Sequence, residues 1–417
     1  MTQKQVAVIG GGVVGVCTAY FLAEAGHEVV VIERHQNVAQ EASFANAGIV
    51  APGYATPWAA PGMPAKILSH LFRPEAPVML NPTLDRALWR WVRRWLNECD
   101  LDRYRINKNR MQRIAFYSHD ILNQLREYYQ LDYERTQGVL QLFRTEKDAK
   151  MAEPGIALLA ETQVPHQVLD ADGVRATEPA LAPNTPLAGG IYLPQDEAGN
   201  CPLFAKRMKH IASSIGVQFH FTSTVHAIEP ESRGVALHID DGTFAADAVV
   251  LAAGIDSVQL LKPLGIHLPL YPVKGYSATA LIKNFDQAPQ AALLDESYKV
   301  AISRMGSRIR VAGTAELGSH KTELHERALR TLIKVGSDWF PDAANYVTSN
   351  FWCGTRAMLP DGPPILGATS IRNVYLNIGH GSYGWAMAAG SGKVVADIIS
   401  SRAPEIDMDG LTIGRYG

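Results

Sequence analysis

The stretch VAVIGGGVVG, residues 6–15, decides the fold of this chain. Residues 6–9 form a short apolar run typical of a buried strand, and residues 13–25 have helical character that ends before Gly26, a residue type common just after a helix C-terminus. Three glycines with the spacing GxGxxG lie between the two segments. A strand, a glycine-rich turn and a helix in this order predict the first βα unit of a parallel sheet.

Each of the three glycines meets a steric demand of such a turn. Gly10 permits the tight turn, Gly12 lets the backbone approach a pyrophosphate, and Gly15 permits close packing of helix on strand. Because the helix begins here, its free N–H groups and its dipole favour phosphate charge. We therefore predict a dinucleotide site at this turn and include Val14, which precedes Gly15.

An acidic residue completes the motif. A second strand-like segment, EVVVIE, ends at Glu33, 18 residues after Gly15. A carboxylate at this place accepts hydrogen bonds from a ribose diol and repels a 2′-phosphate. Arg34 adjoins Glu33 and is included in the predicted cofactor site. The motif serves NAD and FAD alike, so both remain open at this point.

Length and composition indicate the class of protein. A chain of 417 residues is longer than one hydrophobic core usually serves, which predicts two domains. The net charge of -2 gives no electrostatic preference for nucleic acid. Four scattered cysteines without a CxxC pair argue against a disulfide framework and a zinc site. With no signal-peptide pattern and no apolar run of about 18 residues, we expect a cytoplasmic chain that is not secreted and does not span a membrane.

The rest of the chain bears on which dinucleotide is bound. An NAD dehydrogenase normally continues with contiguous βαβ units. Here SFANAG, residues 43–48, is followed by a proline-rich passage at residues 51–64 that cannot continue regular structure. Strand-like segments recur far downstream, at residues 247–254 and 373–381, and the second leads into another glycine-rich loop that opens a helix. We interpret them as later strands of the same sheet, separated by long insertions.

These motifs together carry a family resemblance. The turn at residues 10–15 with Glu33, SFANAG, LAAG (251–254), PVKGY (272–276), GTRAMLPDGPPILG (354–367) and GHGSYGW (379–385) resemble the D-amino-acid oxidase and glycine oxidase superfamily of flavoproteins. More narrowly, residues 45–66, QGVLQLFRT (137–145) and the stretch from residue 379 to 393 resemble the bacterial D-amino acid dehydrogenases of the small-subunit type. The resemblance extends over nearly the whole chain, with the motifs in order.

The resemblance implies an α/β fold with two domains. A Rossmann-like FAD-binding domain would be discontinuous, comprising residues 1–60, 195–262 and 350–417. Residues 61–194 and 263–349 would form an inserted α+β substrate domain, built on an antiparallel sheet that lies over the reactive face of the flavin.

The resemblance also implies FAD as the cofactor and assigns roles to individual residues. Gly10, Gly12 and Gly15 would hold the pyrophosphate and Glu33 the adenosine ribose. The remaining residues of the implied FAD site are Ser43, Asn46, Ala47, Gly48, Val225, Ala253, Gly254, Gly379, Gly381, Ser382, Tyr383 and Gly384. A helix N-terminus after the last of them would stabilise the reduced, anionic ring.

The implied reaction is oxidative deamination of D-amino acids resembling D-alanine to 2-oxo acids and ammonia. The α-hydrogen leaves as hydride to flavin N5, and the electrons pass to a quinone or another acceptor. Arg356, in the family pattern GxRxxxPDGxPxxG, would bind the substrate carboxylate through its guanidinium fork. Tyr54, Tyr276 and Tyr298 would donate hydroxyl groups to the carboxylate or line the pocket, and His380 would lie beside the flavin. No metal is expected.

One predicted helix bears on the electron acceptor. In DRALWRWVRRWLNE, residues 85–98, four arginines fall on one side and Leu88, Trp91, Val92 and Trp95 on the other. Such a helix either packs on the substrate domain or lies in a lipid interface. Because the related dehydrogenases pass electrons to membrane quinones, the resemblance implies peripheral contact with the inner face of the cell membrane.

Three alternatives remain beside the D-amino acid dehydrogenase. The first is a flavin oxidase or dehydrogenase for hydroxyproline, glycine or another secondary amine. The second is an NAD(P)-dependent dehydrogenase, which Glu33 permits and the late GHGSYGW loop disfavours. The third is a membrane-docked interaction protein that retains only the nucleotide-binding fold, which the presence of Arg356 disfavours.

Overall fold

The computed structural model describes residues 3–70, 75–81, 83–319 and 323–416, with the side chains of residues 69 and 70 excepted. Within these ranges, the strands in chain order are β1 Gln5–Ile9, β2 Glu28–Ile32, β3 Ile49–Val50, β4 Val78–Leu80, β5 Thr136–Phe143, β6 Gln167–Leu169, β7 Gly189–Ala198, β8 Gln218–His220, β9 Val225–Glu231, β10 Gly234–Ile239, β11 Gly242–Ala246, β12 Ala248–Leu251, β13 Tyr271–Leu281, β14 Ala292–Asp295, β15 Val300–Met305, β16 Arg308–Leu317, β17 Asn350–Met358, β18 Ile365–Ala368 and β19 Val374–Ile378. The helices are α1 Val13–Glu24, α2 Met63–His70, α3 Arg86–Asn97, α4 Leu101–Tyr129, α5 Glu146–Glu161, α6 Ala171–Thr177, α7 Cys201–Ser214, α8 Ser257–Leu261, α9 Glu326–Trp339 and α10 Gly384–Ile399.

A six-stranded sheet contains the strands that the glycine motifs predict. Its order is β18-β19-β12-β1-β2-β8, and all neighbours are parallel except β18, which pairs antiparallel with β19. The strands β1, β2 and β12 are almost wholly buried apolar runs, as a parallel sheet covered on both faces requires. The predicted strands near residues 250 and 375 therefore lie in the same sheet as β1.

Close helix packing covers one face of this sheet. A Cβ on Gly392 of α10 would lie 2.9 Å from backbone atoms of Cys17 and Thr18 in α1, and one on Gly390 would lie 2.7 Å from the Cα of Ser118 in α4. Backbones can approach this closely only where side chains are absent. Helix α10 is thus fixed between α1 and α4. A separate three-stranded antiparallel sheet, β11-β10-β9, lies between β8 and β12 in sequence.

The second domain is built on a ten-stranded sheet. Its order is β17-β13-β16-β15-β14-β5-β7-β3, with β4 paired to β16 and β6 to β7. Most neighbours are antiparallel, although β14 pairs in parallel with β5 and β16 with β4. Helix α9 buries Leu332, Val335 and Trp339 in a core with apolar residues of the sheet. The predicted class, a Rossmann-like domain with an inserted domain on a largely antiparallel sheet, is the observed one.

The sheets place two domain boundaries differently from the prediction. Strand β17, Asn350–Met358, pairs with β13 in the ten-stranded sheet, although residues from 350 onward were predicted to belong to the FAD-binding domain. Strand β7 likewise continues past residue 194 to Ala198. Pro194 lies within β7 and Asn350 is the first residue of β17, so neither residue marks the end of the ten-stranded sheet in the sequence.

Helix α3 packs on the protein through its apolar side. Leu88, Trp91 and Trp95 are buried against Tyr271, Val273 and Met358, and the indole N–H of Trp91 donates to the Met358 carbonyl at 3.0 Å. These side chains are thus not available to a lipid interface. In the part of the chain that the structure describes, no helix has both the length and the hydropathy needed to cross a membrane.

Candidate active site

The turn between β1 and α1 has the steric properties that its glycines predict. Gly10 has φ +106°, and a Cβ there would lie 2.7 Å from the Ala252 carbonyl oxygen. A Cβ on Gly15 would lie 1.9 Å from the Gly10 carbonyl oxygen, so a side chain is excluded. Gly12 is the N-cap residue that precedes α1, and it has no side chain with which to cap the helix. Its first N–H groups therefore form a site for an anionic group.

Glu33 lies immediately after β2 at the edge of this turn. Its carboxylate is buried and accepts from the Gly11 N–H at 2.6 Å and the His35 N–H at 2.8 Å. These bonds orient the carboxylate beside the glycine turn, where the ribose of a dinucleotide would lie. The Arg34 guanidinium is engaged by other carboxylates: it pairs with Glu41, and with Asp256 at 2.8 Å.

The predicted loop at residues 43–48 lies between the two domains. Ser43 accepts from the Val13 N–H at 3.1 Å, and the Asn46 side chain accepts from the Gly48 N–H at 3.0 Å. The ten-stranded sheet holds this loop by its carbonyls. Arg310 donates to the Asn46 carbonyl at 3.1 Å and Ser303 to the Ala47 carbonyl at 2.8 Å.

The sequence analysis did not identify Arg310 or Ser303. Arg310 is buried, and burial lowers the pKa of its guanidinium to about 10. Its partner carbonyl is 264 positions away in the sequence. No local pattern could reveal such a contact, because it exists only once the two sheets face each other.

The loop between β19 and α10 forms a second glycine cradle. Gly379 and Gly381 have φ +82° and +55°, and Cβ atoms there would lie 2.3 Å and 2.6 Å from side-chain atoms of Leu359 and Met358. Ser382 and Tyr383 follow in a single turn of 3-10 helix, and α10 begins at Gly384 without a side-chain cap among the described residues. This helix start offers N–H groups on the same side of the sheet as α1.

His380 supports this loop from inside the protein. Its side chain is buried, and Nε2 lies 3.1 Å from the Ser391 hydroxyl in α10. Burial lowers the pKa of His380 to about 3, so the ring is neutral at physiological pH. Three further predicted residues lie at or near strand ends. Ala253 and Gly254 come shortly after β12, and Val225 is the first residue of β9.

Arg356 lies on β17, with its guanidinium over Gly275 of β13. A Cβ on Gly275 would lie 2.3 Å from Arg356 Nη1, so the glycine provides the space that the guanidinium occupies. Nη1 is buried and has no hydrogen-bond partner among the described residues. Burial lowers the pKa of Arg356 to about 10, and its electrostatic neighbour is the phenol of Tyr383. A buried, unpartnered guanidinium of this kind is chemically suited to pair with a carboxylate.

Tyr54 joins Arg356 and Tyr383 in one region. The Tyr383 hydroxyl lies 3.5 Å from the Tyr54 carbonyl, and the two rings are 6.5 Å apart between centroids. The Tyr54 hydroxyl donates to Glu296 at 2.8 Å. Tyr383 therefore interacts with the guanidinium, and Tyr54 contacts Tyr383.

Two other predicted tyrosines are not brought to this region. The Tyr276 hydroxyl donates to Glu316, and its ring packs in the core under α9. Tyr298 packs against Arg144 on the same face of the sheet. Val273 and Gly275 pair with Arg356 and Gly354, so Arg356 projects from the opposite face to Tyr276. Neither ring is placed to contact a substrate at Arg356.

We expect the substitution Gly275→Ala to displace the Arg356 guanidinium while leaving the fold intact. The clash involves the far end of a flexible side chain, so the free energy of unfolding should change by less than about 1 kcal/mol. A displaced guanidinium binds a carboxylate less well, and KM for an amino acid substrate should rise about tenfold or more. Steady-state kinetics and a thermal melt measure both effects. An unchanged KM would show that the position of the guanidinium above Gly275 is unimportant.

A buried carboxylate below Tyr54 makes stability depend on pH. Asp196 accepts from the Gly53 N–H at 3.1 Å, and its Oδ2 has no partner in the described ranges. Burial raises the pKa of Asp196 to about 7. The charge of Glu197 raises this pKa further, whereas backbone hydrogen bonds from Gly53 and Tyr54 lower it. The folded protein therefore retains a proton that the unfolded chain releases above about pH 4, and stability falls as pH rises toward 7.

The variant Asp196→Asn lacks this ionisation. We expect its gain in stability over the wild type to be larger at pH 8 than at pH 5 by about 1–3 kcal/mol, because only part of the cost of keeping Asp196 protonated is present at pH 5. Thermal or urea unfolding of the FAD-loaded protein at both pH values makes the comparison. A gain of equal size at pH 5 and pH 8 would contradict the assignment.

The chain's own features fit FAD. The starts of α1 and α10 and the glycine turns before them leave space for backbone contact with phosphates and a planar ring, and Glu33 is oriented for the ribose. Among the described residues, no group of three His, Cys, Asp or Glu side chains could hold a metal ion.

Comparisons with known proteins identify the family of this chain. The family model described as "DAO: FAD dependent oxidoreductase" matches residues 5–398. D-amino acid dehydrogenase 1 of Mesorhizobium japonicum is 45% identical over 99% of both chains, and the D-amino acid dehydrogenase of Rhizorhabdus wittichii is 47% identical over 99% of this chain and 100% of the relative. The crystal structure of glycine oxidase from Geobacillus kaustophilus has a TM-score of 0.76 at 24% identity, over 99% of both chains, and shows the same fold.

These matches confirm the resemblance seen in the motifs and remove the NAD alternative, since FAD is the cofactor of the matching family. The chain belongs to the DAO family of FAD-dependent oxidoreductases.

Proposed function

We propose that this protein is a D-amino acid dehydrogenase that deaminates D-alanine and similar D-amino acids to 2-oxo acids and ammonia. The observation that carries the proposal is the buried, unpartnered Nη1 of Arg356 above Gly275. It is supported by the name shared by relatives that are 45–47% identical over their full length.

The geometry suits an α-amino acid. Arg356 binds the substrate carboxylate, and the Tyr383 and Tyr54 rings restrict where the rest of the molecule can lie. FAD, when bound at the two glycine turns, would supply the acceptor for the α-hydrogen of the substrate and its electron pair. Water then hydrolyses the released imino acid to the 2-oxo acid and ammonia.

The protein's remaining task is to position the groups. The starts of α1 and α10 present N–H groups to negative charge, which stabilises a cofactor that gains electrons. The neutral His380 holds the α10 loop through Ser391 without adding a charge to the site. Fixed placement of the two reactants contributes more to such a reaction than any acid or base.

Product analysis tests the proposal. Purified protein with D-alanine and an excess of a dye acceptor should release one pyruvate and one ammonia for each two-electron equivalent transferred to the dye. L-alanine should give neither product. Turnover of glycine or a hydroxyproline with none of D-alanine would favour the related amine oxidases and dehydrogenases instead.

The electron acceptor is a further part of the proposal. A dehydrogenase transfers its electrons to an acceptor other than dioxygen, and we propose a quinone. After anaerobic reduction by D-alanine, a water-soluble quinone should restore the oxidised flavin spectrum much faster than air does. Faster recovery in air, with formation of peroxide, would identify an oxidase.

We also propose that the protein contacts the membrane surface through the outer side of α3. This side exposes Trp89 and, at the ends of the helix, Leu84 and Leu96. The predicted arginines Arg86, Arg90, Arg93 and Arg94 are exposed beside them. Basic side chains interspersed with Trp and Leu suit the headgroup region of an anionic bilayer, at about 1 kcal/mol for each basic residue.

Vesicle sedimentation tests this surface. The protein should sediment with vesicles of one-third phosphatidylglycerol and far less with neutral vesicles. The triple variant R90Q/R93Q/R94Q should lower the partition by about tenfold or more. A double variant of exposed residues on α7, K206Q/R207Q, is the control and should sediment like the wild type. Equal losses in both variants would show only a general effect of charge.

A further inference from the structure

An ion pair lies beside the candidate site and takes no part in the proposed mechanism. Glu296 and Lys299 come from the turn between β14 and β15, and the Lys299 Nζ donates to Glu296 Oε2. The other carboxylate oxygen, Oε1, accepts the Tyr54 hydroxyl at 2.8 Å. Glu296 is buried, whereas the Lys299 side chain is 37% exposed. Lys299 is thus accessible to solvent, while Glu296 is held against Tyr54.

The turn that carries this pair is rigid. Asp295 Oδ1 accepts from the N–H groups of Ser297 at 3.0 Å and Tyr298 at 3.2 Å, while Oδ2 accepts from Arg144 at 2.7 Å and from the Trp339 indole at 2.7 Å. Both carboxylate oxygens of Asp295 are therefore engaged. A turn fixed in this way holds Glu296 and Lys299 in a set position before any substrate arrives.

Lys299 itself has a strained backbone. Its φ is +53°, in the left-handed region that favours glycine or asparagine. Glycine would form the same turn without strain, so the lysine side chain is retained at a position where the backbone disfavours it. Strain of this kind is a reason to look for a functional role of the side chain.

The pair also lies close to the carboxylate site. The Tyr383 hydroxyl lies 3.5 Å from the carbonyl of Tyr54, whose own hydroxyl donates to Glu296. Tyr383 also interacts electrostatically with Arg356, Glu296 and Lys299. Tyr104 is another neighbour of the pair, and its hydroxyl accepts from Thr56 at 3.0 Å. A substrate whose carboxylate binds Arg356 would therefore have tyrosine side chains as its neighbours, with the Glu296–Lys299 ion pair behind them.

We propose that the Glu296–Lys299 pair selects the side chain of the substrate, admitting neutral side chains and rejecting charged ones. The charges of Glu296 and Lys299 neutralise each other. A charged substrate side chain would therefore lose its hydration without gaining an oppositely charged partner, whereas a neutral side chain incurs no such cost. The inference rests on the proposed function, because it assumes that an amino acid binds at Arg356.

Removing one member of the pair at a time tests the proposal. Glu296→Gln keeps an acceptor for Tyr54 but leaves Lys299 without its carboxylate, so kcat/KM for D-glutamate relative to D-alanine should rise at least tenfold. Lys299→Met leaves Glu296 as the unpaired charge, so the corresponding ratio for D-lysine should rise. We expect about fivefold here, because Lys66 interacts electrostatically with Glu296 and partly replaces the lost charge.

The double variant E296Q/K299M is the matched control. It is neutral like the wild type and should return both ratios to within about twofold of the wild-type values. The proposal is overturned if the single variants change both charged substrates alike, or change neither. Should K299M fold poorly, Lys299→Gly relieves the backbone strain and exposes the same carboxylate, so the same change for D-lysine is expected.

A binding measurement separates this inference from the proposed function. If no D-amino acid reduces the wild-type flavin, the proposed function fails, and perturbation of the flavin spectrum by carboxylates replaces kinetics. Glutarate should then bind at least tenfold more tightly, relative to butyrate, to E296Q than to the wild type. An unchanged ratio of the two affinities would refute the role of the pair.

Discussion

The variant Arg356→Ala is expected to lose about a thousandfold in kcat/KM for D-alanine while it retains its FAD. A guanidinium that binds a carboxylate through two charge-assisted hydrogen bonds in a partly desolvated site contributes about 3–5 kcal/mol, and about 1.4 kcal/mol corresponds to a factor of ten. The loss should exceed that of any other substitution discussed for the substrate, because Nη1 has no other partner among the described residues. Stopped-flow reduction of the flavin measures it.

Two variants make this result specific. Arg356→Lys retains a positive charge but not the fork, and should recover part of the lost efficiency. Arg330→Ala removes an exposed arginine of α9 and should behave like the wild type. An Arg356→Ala protein with unchanged efficiency would require the substrate carboxylate to bind elsewhere.

The second large effect is expected from Gly15→Ala. The added Cβ would lie 1.9 Å from the Gly10 carbonyl oxygen, which is backbone and cannot rotate away as a side chain could. Either β1 and α1 separate or the turn deforms, and both outcomes disrupt the pyrophosphate site. We expect the variant to be purified with less than about a tenth of the wild-type FAD, and to be destabilised by roughly 3 kcal/mol or more.

Gly155→Ala is the control for a helical glycine. Gly155 lies in α5 without a positive φ, and a Cβ there meets nothing within 4 Å. Alanine should therefore bind FAD normally and stabilise the helix by about 0.5–1 kcal/mol. The flavin absorbance per protein and the melting temperature distinguish the two variants. Normal FAD content in Gly15→Ala would contradict the role assigned to the β1–α1 turn.

The elements that sequence predicted best are those whose signal is local. The turn at Gly10 to Gly15 lies between an apolar strand and a helix, so its spacing alone specifies the steric demands that the structure shows. Glu33 ends a recognisable strand, and its carboxylate is oriented by backbone N–H groups of its own neighbourhood. These features are properties of a single βαβ unit, β1–α1–β2.

The choice among the tyrosines could not be made from the sequence. Whether Tyr276 lies near Arg356 depends on which face of the sheet it occupies, and a shift of one residue reverses the face. Tyr54 lies in a turn outside any strand, where no periodicity predicts its neighbours. A bulge between Gly275 and Tyr276, where β13 pairs with β16, adds to this uncertainty. The pairing of β13 with β17 shows that Tyr276 and Arg356 lie on opposite faces of the sheet.

Contacts between distant segments were equally hidden. Tyr54 and Glu296 are 242 positions apart, and neither belongs to a motif that would join them. The ion pair of Glu296 with Lys299 is local, but a Glu three residues before a Lys is common at protein surfaces and signals nothing by itself. What sets this pair apart is the hydrogen bond that joins Glu296 to Tyr54.

We propose that this protein oxidises D-amino acids at a site formed by Arg356, Tyr383 and Tyr54. An anaerobic absorbance titration tests it most directly. D-alanine should bleach the oxidised flavin spectrum of the purified protein completely, and L-alanine at the same concentration should leave it unchanged. A flavin that neither isomer reduces, or that both reduce alike, would contradict the claim.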